Sequence, residues 1–193
     1  MIVDGSSPEF PSLLLDIEYG ASASMQHLLS LEHRRIAHLA AHIDVETFRV
    51  RQRVYERLLS EADLPLRADY QATAGVDLEE SCSAALDLLR GQEPPTAIFC
   101  DDDLMAAGVY KAARKLQLRV PADLSIVGFC DGLVAQLLDP PLTTVAIPAF
   151  ALGQRAMELL LAGLETELPP FVETISLDFV VRASTTLPRE DPS

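Results

Sequence analysis

The residues best suited to chemistry are arginines at 49, 51 and 53, aspartates at 101, 102 and 103, histidines at 33, 38 and 42, and Cys130 beside Asp131. A guanidinium offers a rigid fork of donors that matches paired oxygens. On a charged helix, however, Arg51 by itself reads as a solvated cation. Three consecutive carboxylates could suggest Mg²⁺, but neighbouring side chains point in different directions and rarely meet one ion. A helix cap with favourable charge at the helix start is the plainer role, and a ligand-facing role for one of the three is the alternative. Zinc would need the histidines to converge, yet His33 precedes a predicted strand while His38 lies within it, so no metal site is expected. The nine glycines give neither a dinucleotide fingerprint nor a P-loop. No serine sits in a nucleophile elbow. Neither a cofactor nor an enzymatic activity is expected.

Alternating apolar and helix-period segments must position these groups. Residues 1–3 read as a short strand and 5–12 as a Pro/Ser-rich connection. Ile17, Ala21, Met25, Leu28 and Leu29 recur at helical spacing behind an Asp16 cap. Strands are expected at 34–41, 69–73, 96–100, 124–129 and 143–147, and a strand or hairpin over 171–182. Helices are expected at 44–61, at 78–90 behind an Asp77/Glu80 capping pair, at 103–116, and at 149–162 closed by Gly163. A polar tail occupies 188–193. This alternation predicts an α/β fold, a parallel twisted sheet with helices on both faces. Ligands of such sheets bind beyond the carboxyl ends of the strands. That places residues 41–44, 75–77, 100–103 and 130–132 around one crevice.

Composition narrows the class. The 193 residues are 49% hydrophobic, with no tryptophan, and carry a net charge of −14. Such a chain repels phosphate backbones, so DNA contact by this chain alone is not expected. Three scattered cysteines suit reduced thiols in a cytoplasmic protein. No signal peptide is visible, and the apolar runs are too short to span a membrane.

Several segments resemble the LacI/GalR family of bacterial transcription regulators. LSLEHRRIAHLAA (29–41) is similar to its helix-to-strand signature, with Glu32 in place of the usual glycine. TFRVRQRVYERLL (47–59) resembles the arginine-bearing helix that follows. PPTAIFCDDDLMAAGVYKAARKLQLRVPADLSIVGFCD (94–131), PPLTTV (140–145) and FVVRASTT (179–186) carry the most specific likeness.

The resemblance implies a periplasmic-binding-protein-like pair of subdomains crossed three times by the chain, mainly the C-terminal one here. It assigns residues 1–12 to a remnant of the N-terminal subdomain, 13–139 and 170–187 to the C-terminal subdomain, and 142–164 to a crossover segment of the N-terminal one. The helix-turn-helix headpiece and most of the N-terminal subdomain would lie outside this sequence. An apolar face of helix 149–162 should then be uncovered and be met by a second chain or by rearrangement.

Effector positions carry over residue by residue. Asp4 matches an acidic residue at the first crossover, and Arg51 the arginine that holds sugar hydroxyls. Asp102 stands where asparagine is usual, with Asp103 the following aspartate. Cys130 replaces a ligand-binding aspartate, Asp77 or a neighbour replaces a stacking aromatic, and Ile147 replaces a glutamine. These exchanges remove partners that sugars need, so a simple hexose is not the expected effector. Cys130 reads as a small buried thiol, with redox sensing as the alternative. A dimer surface would include Leu104, Val109, Leu133, Val134, Leu137 and Leu138. The implied function is a cytoplasmic effector-sensing and dimerisation domain, binding DNA only through the missing headpiece. A solute-binding receptor of the periplasmic type is the alternative.

Overall fold

The computed structural model describes residues 1–5, 7–166 and 168–189. Four parallel strands form the main sheet: β3 (Ile36–Ala41), β4 (Gln71–Ala74), β5 (Ala97–Cys100) and β6 (Ser125–Val127), in the order β4-β3-β5-β6. Strand residues alternate between its faces, as a pleated strand requires. Ile36, Ala97, Phe99 and Val127 pack on one side with α1 (Ile17–Ser30) and α2 (Glu46–Glu61). Ala37, Leu39, Ile98, Cys100 and Ile126 pack on the other with α3 (Leu78–Leu89) and α4 (Asp103–Lys115). The expected parallel sheet with helices on both faces is therefore present.

A second layer holds β1 (Ile2–Val3), β2 (Ser12–Leu15) and β8 (Val172–Ile175), paired in parallel in the order β1-β2-β8. Helix α6 (Ala149–Glu165) is tied to it by Arg155, which holds Glu173 at 2.8 Å. β7 (Thr144–Ala146) and β9 (Asp178–Val180) form an antiparallel pair beside β6. The short helix α5 (Leu133–Leu137) precedes β7.

Four expectations need correction. Residues 12–15 form a strand, so the layer that begins with β1 extends to Leu15 instead of stopping at residue 12. Residues 172–175 also join that layer, because β8 pairs with β2. The segment 171–182 is thus no hairpin: β8 and β9 enter different sheets. Helix α6 runs through Gly163 to Glu165, since its backbone there is accommodated without a left-handed residue. The expected polar tail lies partly at 190–193, outside the described residues.

The chain passes between the layers through short joints. Asp16 alone separates β2 from α1, residues 147–148 separate β7 from α6, and residues 176–177 separate β8 from β9. Leu177 is buried. The amide of Asp16 donates to the Ile175 carbonyl at 3.0 Å, linking two joints.

Helix caps follow the sequence closely. Asp16 accepts from the Tyr19 amide at 3.0 Å, and Asp77 from the Glu79 and Glu80 amides at 2.8 and 3.0 Å. Glu80 reaches past the cap to accept from the Gly75 amide at 2.8 Å. At the end of α1, Glu32 has φ 66°, and the paired bonds Glu32 N to Leu29 O and His33 N to Leu28 O close a Schellman turn. A left-handed residue with a Cβ is strained. Glu32→Gly is therefore expected to stabilise the fold by about 0.5–1 kcal/mol, read as a higher urea midpoint at unchanged slope.

On α6 the apolar face is open. Phe150 and Leu164 are 86% and 77% exposed, and of the helix only Leu159 is buried.

Candidate effector site

The carboxyl ends of β3, β5 and β6 face the second layer, and Arg51 of α2 sits where they meet it. Arg51 is only 4% exposed. The expectation of a solvated cation fails because α2 lays this position on the sheet. Its Nη1 donates to the Asp101 carbonyl at 2.6 Å. Its guanidinium lies 3.7 Å from the Phe129 ring centroid and 4.8 Å from that of Phe48. Its Nε is buried without a hydrogen-bond partner. Burial lowers the Arg51 pKa, opposed by the charges of Asp101, Asp102 and Asp4, with the Cys130 thiol also at hand.

Those opposing groups identify what surrounds the cation. Asp4, with φ 58° at the end of β1, is raised in pKa by burial and lowered by Arg51. Asp102 caps α4 by accepting from the Leu104 amide at 2.7 Å, and its other oxygen accepts from the Cys130 thiol at 3.4 Å. Cys130 has φ 121°, a conformation that L residues rarely adopt. Burial, with Asp102 adding to it, pushes this thiol up to about 12, so it stays protonated and unreactive at neutral pH. Ile147 donates its amide to the Cys130 carbonyl at 3.3 Å. Asp4, Arg51, Asp102, Cys130 and Ile147 are thereby gathered. Asp77 is not: its carboxylate is spent on its own helix start at the sheet's outer strand β4.

A cavity of about 510 Å³ opens between the two layers, and of this cluster Asp4 lines it. Asp4, Leu15, Asp16, Glu46, Thr47 and Thr174 are among its lining residues. Glu46 is held by Arg53 at 2.6 Å. A larger groove of about 610 Å³ lies elsewhere, on the outer face of α4 and α5, where Leu137 and Leu138 help to line it.

The three aspartates take separate roles, as their directions require. Asp101 is buried and accepts from His38 Nε2 and from the Ala41 amide, each at 2.9 Å. Asp103 is buried too and accepts from the Thr144 hydroxyl at 2.6 Å and the Gly132 amide at 2.8 Å. Sequence reasoning missed Asp101, Phe129 and His38 as supports of Arg51. An aromatic immediately before Cys130, at the end of β6, was the available signal. Val109, expected at a dimer surface, is fully buried between α4 and the sheet, because helical spacing does not distinguish its inner from its outer face. Leu104, Val134 and Leu138 are half-buried, and Leu133 and Leu137 are each 72% exposed. His33 and His38 do not converge: His33 bonds Thr96, Ser125 and the Thr186 carbonyl, far from the partners of His38.

Two buried groups respond to pH in opposite senses. Burial raises Asp103 to about 6, although Thr144 and Gly132 pull it down. Between pH 3.8 and 6 the folded chain keeps a proton there that the unfolded chain has released, so this group lowers stability as pH rises. Burial lowers His33 to about 4 against the pull of the Thr186 carbonyl. Between pH 4 and 6.5 the unfolded chain takes up a proton that folded His33 refuses, so this group raises stability as pH rises. The two slopes offset each other between about pH 4 and 6. Asp103→Asn is expected to steepen the rise of stability with pH, and His33→Gln to reverse it, by at most ~1.4 kcal/mol per pH unit for one proton. Urea titrations across this window check both.

The fold agrees with the comparisons to known proteins. The chain matches the periplasmic binding protein-like domain over residues 25–185. It belongs to that family, in the form found in LacI-type regulators. The HTH-type transcriptional repressor CytR of Escherichia coli (strain K12) is 32% identical over 178 residues, covering 92% of this chain and 52% of CytR. The structure of a LacI family transcriptional regulator from Mycobacterium smegmatis superposes with a TM-score of 0.83 at 31% identity, over 92% of this chain and 66% of that one. The transcriptional regulator CelR–cellobiose complex gives 0.85 at 26% identity, over 92% and 54%. The chain spans about half the length of the curated LacI-type relatives it matches. CytR and PurR of Vibrio vulnificus (strain CMCP6), two of those relatives, are HTH-type transcriptional repressors. Among the described residues, no helix of this LacI-type domain is long and apolar enough to cross a membrane.

Proposed function

We propose that this chain is the effector-sensing and dimerisation domain of a cytoplasmic LacI-type transcription regulator. A small molecule enters between the two layers and meets Arg51, Asp4, Asp102, Cys130 and Ile147. The observation that carries this reading is the buried Arg51, with an unpaired Nε beside two carboxylates at the strand ends. A ligand oxygen can satisfy that donor, and ligand hydroxyls can donate to Asp4 and Asp102. Cys130 and Ile147 offer little to hydroxyls, and Asp77 stands apart. The effector is accordingly not a simple hexose, although the relative CelR was solved with cellobiose.

Ligand binding shifts the balance between arrangements of the two layers, and a helix-turn-helix segment outside residues 1–193 reads that shift on DNA. A homodimer uses the outer face of α4 and α5, with Leu104, Leu133, Val134, Leu137 and Leu138. The test is a thermal-shift screen of hexoses, pentoses, polyols and nucleosides, with sedimentation of the same samples. One class should raise Tm with saturable dependence, as ligand bound at 100 times Kd adds about 2.7 kcal/mol. A clear shift with millimolar hexose overturns the exclusion of hexoses, and a monomer at every concentration overturns the dimer.

A further inference from the structure

The reading of Arg51 as the effector-binding cation leaves one question open: what fixes a buried guanidinium in place. Beneath it lies a buried ionisable pair. His38 and Asp101 are 1% and 0% exposed, with His38 Nε2 2.9 Å from the Asp101 carboxylate. The other ring nitrogen, Nδ1, meets Gln52 Oε1 at 2.8 Å. Gln52 is the residue after Arg51 on α2, and its amide nitrogen is in turn tied to Glu56 and Gln71 at 2.6 and 3.0 Å. The imidazole stacks on Phe99, with centroids 5.1 Å apart and planes at 12°. Tyr55 closes the other side at 5.0 Å and donates its hydroxyl to the Ile36 carbonyl at 3.0 Å.

The pair is costly to bury, and apolar side chains of similar size would fill the same space more cheaply. Its geometry shows what it contributes instead. The Asp101 side chain is held at both oxygens, by His38 and by the Ala41 amide. Its backbone carbonyl is the group that accepts from Arg51. His38 therefore grips the Arg51 helix through Gln52 and the Arg51 acceptor through Asp101 at the same time. We infer that the His38–Asp101–Gln52 network is a positioning device that sets the place and the free donor edge of Arg51 in the cleft. His38 and Asp101 act through Arg51 and need not touch the effector.

The test follows the Arg51 side chain directly, by ¹⁵N-resolved NMR of arginine Nε–H groups in the full chain without ligand. Arg51→Lys identifies the resonance. His38→Leu, which fills the site but bonds neither partner, is expected to speed Arg51 Nε–H exchange at least about 10-fold while the backbone spectrum stays native. His38→Gln, which can still donate to Asp101, is expected to recover most of the protection. Should His38→Leu fail to fold, Gln52→Leu decides, with an expected acceleration of at least about 3-fold. A folded variant that loses stability yet leaves Arg51 exchange unchanged assigns the network a purely structural role and overturns the inference. Because no ligand is added, failure of the effector reading would appear in the ligand screen and not here.

Discussion

Replacing Arg51 with methionine is expected to abolish effector binding while leaving the fold nearly as stable as before. The guanidinium lies at the centre of the site, and a ligand oxygen bonded to it gains a charge-assisted contact. Two such contacts at about 1.5–3 kcal/mol each correspond to a loss of at least about 100-fold in affinity. Stability should move little, because burial already disfavours the charged form of Arg51. Methionine keeps the apolar contact with Phe48 and Phe129 without the desolvation cost. Asp101 loses a donor at its carbonyl, which offsets part of that gain. Calorimetric titration with the compound found by the thermal-shift screen measures the first effect, and urea denaturation the second. Unchanged affinity in this variant would remove Arg51 from the site.

Phe129→Ala is expected to weaken both properties, costing about 3–5 kcal/mol of stability as a fully buried aromatic truncated in a packed core. The ring does more than fill space. It contacts the Arg51 guanidinium at 3.7 Å, and its edge approaches Gly20 so closely that a Cβ there would lie 2.9 Å from the ring. Losing it opens a void among α1, α2 and the end of β6 and leaves the cation without its platform. Phe129→Leu, which retains apolar volume but no π face, should recover most of the stability and less of the ligand affinity. Parallel denaturation and binding curves for the two variants separate packing from cation support. Equal recovery of both properties in Phe129→Leu would mean that the aromatic face adds nothing.

The order of strands and helices was legible because each rests on local signals. Asp16, Asp77 and Asp102 bond amides within three residues of themselves, so their caps can be seen in a short window. The strand at 12–15 was not legible in the same way. Its four residues lie at the end of a Pro/Ser-rich stretch, and pairing with β1 and, over all four residues, with β8 far along the chain makes them a strand. Arg51 shows the same limit at the site. The charged sequence of α2 describes a solvated helix, while burial of this one arginine depends on Phe129 and Asp101, which arrive from other elements. The resemblance to LacI-type regulators supplied Arg51 where local pattern could not. It also pointed to Asp77, whose carboxylate the helix start had already claimed.

The joints between the two layers have a mechanical meaning. All relative movement must be absorbed by about five backbone positions: Asp16, Ile147, Pro148, Ser176 and Leu177. The proline ring removes one of those rotations, and burial of Leu177 damps another. What remains free is a short hinge of a few backbone rotations shared by three passes of the chain. Ile147 belongs both to that hinge and to the ligand cluster, through its bond to the Cys130 carbonyl. Under the proposed function, a molecule pressing on this wall would lean on the hinge pin itself, and its occupancy would move the joint with no intervening relay.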